Sequence, residues 1–325
     1  MLSKPVGIVE WSINYLRSEG LGIDEGTREV IRTAHELGFQ AVILGGQANL
    51  RPGDDRRNAE FLSYAEKLGL CIGLSFWFES LYQSALKKGP NPFFELAKQC
   101  NLKVIGTVLN HFSIRFDKKW NRNDAVASIQ TAVKKLKAVS SVAEEYGIGL
   151  AFENHIDYTC DELDEILSAV PSPFIGLRFD TANQVLLGED PVMMCRRFRT
   201  RVLDTHLKDC YLVPDSQGAQ LVWCAPGDGI VDVKGMMEML EEEKRAIPTT
   251  LETFAESAFT IPFKTEAFWQ YLGFGQPARR QAEEYLHGLT DAKNRKPDFP
   301  DRKAWRQYER ELLSKGGKYL MNWFG

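Results

Sequence analysis

A glutamate and a histidine two positions apart close the apolar run "GLAFENH", residues 149–155. Strand periodicity of two turns Glu153 and His155 to the same side. Three later runs end alike: "FIGLRFD" in Asp180, "VLDTHLK" in His206 and Lys208, and "TTLETF" around Glu252. Singly, each has a plain structural reading. A strand-end glutamate is commonly salt-bridged or solvated, a buried histidine is commonly a hydrogen-bonded core residue, and Lys208 could pair with Asp204 or Asp209. Together they would aim three carboxylates and an imidazole at one region. Buried carboxylates cost free energy unless a cation neutralises them. One divalent ion held by Glu153, Asp180, His206 and Glu252 is therefore expected. Oxygen and nitrogen donors favour Mn²⁺, with Mg²⁺ or Co²⁺ as alternatives, over a thiolate-seeking metal.

The elements that must position these residues are legible as eight short apolar runs: 5–9, 41–45, 71–76, 104–109, 149–153, 174–180, 202–207 and 249–254. Amphipathic stretches such as "TREVIRTAHELG" and "AEFLSYAEKLG" alternate with them, and these two end in a glycine stop. Strict alternation implies parallel strands with right-handed crossovers. Eight units predict an α/β fold, a closed (β/α)8 TIM barrel, whose strand C-terminal ends face the active site. An open doubly wound sheet would want a glycine-rich loop after the first strand, and "EWSINYL" is not one. Residues 210–231 form an excursion, read as a hairpin ("YLV" and "AQLVWC" around "PDSQG") followed by a "PGDG" turn that closes a loop over the site. Residues 1–274 are expected to be the barrel. Residues 275–325 are expected to be a helical extension whose aromatic residues, among them Trp305, Tyr308, Tyr319 and Trp323, pack on the barrel or a neighbouring subunit.

The chain of 325 residues carries a formal net charge of −4, which gives no basic field for nucleic acid. It has no apolar run of about 18 residues, so no membrane partner is expected. The first residues, "MLSKPVGIVEWS", lack a signal-peptide core. The six cysteines form no C-x-x-C pair and read as free thiols of a cytoplasmic protein. Of the five histidines, His35 reads as surface helix, His287 has no supporting motif, and His111 is a secondary candidate for substrate contact.

In order, "AFENH", "GLRFDTAN", "THLKD", "PGDGIVD" and "LETF" resemble the xylose isomerase-like TIM barrel superfamily, the group of sugar phosphate isomerases and epimerases. The resemblance covers residues 5–270 and implies the same metal quartet, with Glu153 and Glu252 also moving protons in the tagatose 3-epimerase branch. The chain departs from that branch at Asn183, where a histidine is usual, and at Lys208. The E-x-H pair is similar to lyase members, such as 3-dehydroshikimate dehydratases and C-glycoside eliminases. The tail is similar to that of 3-oxo-isoapionate decarboxylase. Across this group a carbonyl and its neighbouring hydroxyl are polarised and an enediolate forms. Glu153 or Glu252 would be the base of an epimerase and His155 the base of an elimination. Lys208 would meet a carboxylate or developing enolate charge. Arg178, deeper in its strand, reads as structural. The expected substrate is a small keto-sugar or sugar derivative, with isomerase or epimerase chemistry preferred and a lyase as the alternative. An abasic-site endonuclease is a remote third, because those enzymes use more histidines. A homo-oligomer is expected.

Overall fold

The computed structural model describes residues 5–45, 50–110, 122–256 and 258–324. Its strands are β1 (Val6–Val9), β2 (Ala41–Leu44), β3 (Cys71–Trp77), β4 (Val104–Val108), β5 (Gly149–Glu153), β6 (Ile175–Asp180), β7 (Val202–His206), β8 (Asp209–Pro214), β9 (Ala219–Cys224), β10 (Thr249–Leu251) and β11 (Ala258–Ile261). Eight of these form one parallel sheet in the order β10-β1-β2-β3-β4-β5-β6-β7. The sheet closes where Leu207 N–H donates to Thr250 O at 2.7 Å and Glu252 N–H to Leu207 O at 3.1 Å. The chain is thus a (β/α)8 barrel. β10 is shorter than the 249–254 run, so Glu252 stands just past its strand.

The surrounding helices start from local capping chemistry. Asp54, Asn91, Asp190 and Asp232 each accept a first-turn N–H, and Thr159 with Glu162 forms a capping box. Pro92 and Pro191 add the preset φ of a first helical position. A short helix, Phe78–Ala85, follows β3 directly. No helix among the described residues is long and apolar enough to cross a membrane.

Inside the barrel, bulky side chains face glycines. A Cβ on Gly106 would lie 1.5 Å from the Arg178 guanidinium, so this glycine makes the room Arg178 occupies. Arg178 Nε donates to Asp204 Oδ2 at 2.6 Å and its Nη1 to Ser75 Oγ at 2.9 Å. This buried ion pair is a floor beneath the strand ends, in keeping with a structural Arg178.

The excursion is the expected hairpin, β8 against β9, with a third antiparallel strand, β11, added to β9. The "PGDG" turn does not close over the site. The N–H groups of Gly227, Gly229 and Val231 instead point at the buried Asp209 carboxylate, at 2.9, 2.9 and 3.0 Å. A carboxylate taken out of water needs those donors, and supplying them pulls the turn back onto β8. The C-terminal segment forms helices Gln276–Leu289 and Arg302–Phe324. The second of these packs Leu312, Trp305 and Tyr308 with Tyr15, Ala225 and Ala255 in a small separate core against the barrel.

Candidate metal centre

Four neighbouring strand ends gather the quartet. Glu153 closes β5, Asp180 closes β6, His206 closes β7 and Glu252 follows β10. Asp180 and His206 are register partners, which puts their side chains on one side of the sheet. One ligand atom from each of the four lies within 4.8 Å of the others, and all four residues are buried. His206 Nδ1 is 2.6 Å from Glu252 Oε2 and 3.1 Å from Glu153 Oε2.

Lys208, 3% exposed, enters the same cluster. Its Nζ is 2.8 Å from Asp180 Oδ2, 3.2 Å from Glu252 Oε2 and 3.4 Å from Asn183 Oδ1. The rings of Trp223 and Phe254 face the ammonium at 5.0 and 5.4 Å. The two aspartates that the sequence offers as its partners do not take it. Asp204 is bound by Arg178, and Asp209 by backbone N–H groups. Position decides this: residue 208 lies beyond the strand end on the face of His206, where Asp180 and Glu252 converge.

The charges shape each other. Burial alone would raise the Glu153 and Glu252 carboxyls. His206 and Lys208 beside them prevail and hold both below the usual range, Glu252 at about 2. Asp180 moves the other way, to about 6, because burial together with Glu153 and Glu252 outweighs Lys208. Burial disfavours a charged His206, yet Glu252 and Glu153 raise it to about 9. Lys208 is likewise held charged against its burial, chiefly by Asp180 and Glu252.

These residues fit a divalent ion. Asp180 Oδ2, Glu252 Oε2 and both His206 ring nitrogens are buried and make no well-oriented hydrogen bond, although charged neighbours stand close. Three carboxylates beside one lysine leave negative charge that a dication with neutral His206 would cancel. Second contacts fix the donors, as metal sites require. Asp180 Oδ1 accepts the N–H groups of Ala182 and Asn183, both at 2.9 Å, leaving Oδ2 for the cluster. Asn183 Nδ2 donates to Glu153 Oε1 at 2.9 Å. Trp11 Nε1 donates to Glu252 Oε1 at 2.5 Å, and the Trp11 ring meets His206 edge-on at 5.9 Å. Sequence reasoning missed Trp11; its place at the C-terminal end of β1, where barrel sites form, was the available signal.

Beside the cluster lies a cavity of about 300 Å³. Glu153, His155, Lys208 and Glu252 line it on the charged side; Trp77, Trp223 and Phe259 are among its apolar walls. His155 reaches the cavity with its side chain 18% exposed, and Nδ1 stands 3.5 Å from Asp157 Oδ1. Burial opposes its protonation, but the Asp157 carboxylate prevails and raises its pKa. His35 is exposed on its helix and His287 is exposed against Phe263, both away from this cavity. His111 lies outside the described residues.

Comparison with known proteins agrees with this architecture. The xylose isomerase-like TIM barrel model matches residues 31–271. An inosose dehydratase of Clostridium beijerinckii is 25% identical over 146 residues, covering 40% of this chain and 48% of that protein. The alignment thus spans about half of that relative's length. An L-ribulose 3-epimerase structure superposes with a TM-score of 0.56 at 12% identity, covering 98% of this chain and 93% of that one. The probable 3-DHS dehydratase AsbF of Bacillus anthracis gives 0.55 at 15% identity, covering 88% and 98%. With a family model matched across most of its length and eight parallel strands closed around the quartet, the chain belongs to the xylose isomerase-like TIM barrel family.

Proposed function

We propose that this chain is a divalent-metal-dependent lyase that removes water from a keto-sugar or keto-cyclitol through an enediolate. The observation that carries the reading is His155, which lines the cavity beside Asp157 and is not needed as a metal ligand. When bound by Glu153, Asp180, His206 and Glu252, the ion, Mn²⁺ in this reading, would polarise the substrate carbonyl and its neighbouring hydroxyl. His155 takes the proton from the carbon next to the carbonyl, with Asp157 orienting the ring. It returns that proton to the departing β-hydroxyl. A carbon–carbon double bond forms and water leaves, so atoms and charge balance. Lys208 brings one positive charge to the acidic wall, but its ion pairs with Asp180 and Glu252 leave it a poor clamp for a substrate carboxylate, which weighs against a decarboxylase. The relative named inosose dehydratase supports elimination on a cyclic ketone.

A second reading, isomerisation or epimerisation, draws support from Glu153 and Glu252, which both line the cavity and would serve as its pair of proton carriers. Incubation of the Mn²⁺-loaded protein with inosose or a keto-hexose in D₂O, followed by mass spectrometry, tests both. A product lighter by one water is the expected result. A product of unchanged composition carrying deuterium at the α-carbon would replace the lyase reading with the epimerase one. The protein is expected to work as a small-molecule enzyme of the cytoplasm, assembled from identical subunits.

A further inference from the structure

Glu309 belongs to the C-terminal helix, far in sequence from the site, yet it is 1% exposed and holds the loop that follows β1. Its Oε1 accepts the N–H groups of Asn14 at 3.1 Å and Tyr15 at 3.0 Å, and its Oε2 that of Leu16 at 2.7 Å. A buried carboxylate bound by three backbone donors is a fixed anchor rather than a surface contact. Its helix neighbours grip the same segment. Arg302 donates to Arg17 O at 3.0 Å, Arg306 to Leu16 O at 3.1 Å, and Trp305 stacks on Tyr15 at 5.6 Å. Residues 302, 305, 306 and 309 share one face of a helix, so that face is built to receive residues 14–17.

The gripped segment runs straight back to the metal site. Residues Glu10–Ser12 form a tight turn at the end of β1. Trp11 in that turn donates to Glu252, and Ser12 Oγ accepts the N–H of Thr253 at 3.0 Å. The turn therefore touches Glu252, and the segment that leaves it two residues later is held by the tail helix.

We propose that Glu309 is a positioning residue of the site: by fixing residues 14–16 it sets Trp11 against Glu252, so the C-terminal helix helps orient that carboxylate. The consequence for metal binding rests on the reading of Glu252 as a ligand; the consequence for Trp11 does not. A role confined to tethering the tail would cost stability and leave Trp11 where it is.

The experiment uses full-length protein labelled with 5-fluorotryptophan, the Trp11 resonance being assigned by Trp11→Phe. In metal-free protein Glu309→Ala shifts or broadens that resonance, and the isosteric Glu309→Gln does so less; Glu309→Gln carries the test alone if the alanine variant does not fold. Leu313→Ala, a core change on the same helix, lowers the melting temperature and leaves the resonance in place. Titration with Mn²⁺ then gives about a tenfold or greater loss of affinity for Glu309→Ala. In a Trp11→Phe background the same change adds little, since coupled sites are not additive. A Trp11 resonance unmoved by either Glu309 variant, or moved equally by Leu313→Ala, overturns the proposal. A wild type that binds no Mn²⁺ overturns the metal reading instead, and the fluorine resonance still decides this one.

Discussion

Lys208 Nζ lies 2.8 Å from Asp180 Oδ2, while the other oxygen of Asp180 is already taken by two backbone N–H groups. The ammonium is thus a fixed cation inside a carboxylate cluster, and Asp180 has few other ways to be neutralised. Lys208→Met is expected to destabilise the metal-free protein by about 3–5 kcal/mol, the scale of a buried pair broken on one side. Urea unfolding with and without Mn²⁺ checks this. Mn²⁺ should restore more stability to the variant than it adds to the wild type, because the added negative charge favours a dication. Equal stability of the two metal-free proteins would remove Lys208 from the cluster's charge balance.

A proton on His206 would have to leave before an ion could bind at this site. His206 is raised to about 9 by Glu252 and Glu153, so it is protonated at neutral pH. Ligation needs the neutral ring. Mn²⁺ affinity should therefore rise with pH, by about tenfold per unit over pH 6–8 if one proton leaves, and flatten as pH passes the His206 value. In the metal-free protein the sign is opposite. The raised pKa stabilises the fold fully below the ordinary histidine range and loses that contribution as pH rises through about 9. Calorimetry in buffers of different ionisation enthalpy counts the protons; an affinity independent of pH would mean that His206 is not displaced.

Removing His155 tests the proposed base apart from the proposed ligands. His155→Ala should keep its metal and lose about 10²–10⁴-fold in turnover, the usual worth of a general base. A loss of only a few-fold would fit an orienting role, worth one hydrogen bond or roughly 0.5–3 kcal/mol, and would shift the assignment toward Glu153 and Glu252 as the proton carriers.

The floor of the site makes a stability prediction independent of chemistry. Arg178→Met leaves Asp204 buried without its cation and should cost about 3–5 kcal/mol. Gly106→Ala drives a methyl into the guanidinium and should cost about 1–3 kcal/mol. Thermal melts of both variants measure it; a Gly106→Ala protein as stable as the wild type would show that Arg178 does not fill that space.

Residues 153, 180, 206 and 252 were legible because each sits at or next to the end of an apolar run, and strand periodicity with barrel topology says where such ends point. The same logic located His155 on the cavity. It failed where partners are distant in sequence or where no run marks the element. Trp11 meets Glu252 across 241 residues and Glu309 meets Leu16 across 293, and no spacing rule reaches that far. The four residues of β11 pair with β9 only because the hairpin already stands there. The "PGDG" turn reads as a flap from its glycines alone; the buried Asp209 that draws it inward becomes visible only once β8 is folded. Lys208 had two sequence-near aspartates as candidate partners, but the barrel delivered Asp180 and Glu252 from neighbouring strand ends instead.

The most direct measurement is metal content. Wild-type protein incubated with Mn²⁺, desalted and subjected to elemental analysis should retain one equivalent per chain. Glu252→Gln, prepared in parallel and shown by circular dichroism to be folded, should lose most of it, because it removes a ligand charge next to His206 and Lys208. Full retention by that variant, or no bound metal in the wild type after loading, would contradict the assignment of Glu153, Asp180, His206 and Glu252 as one metal site.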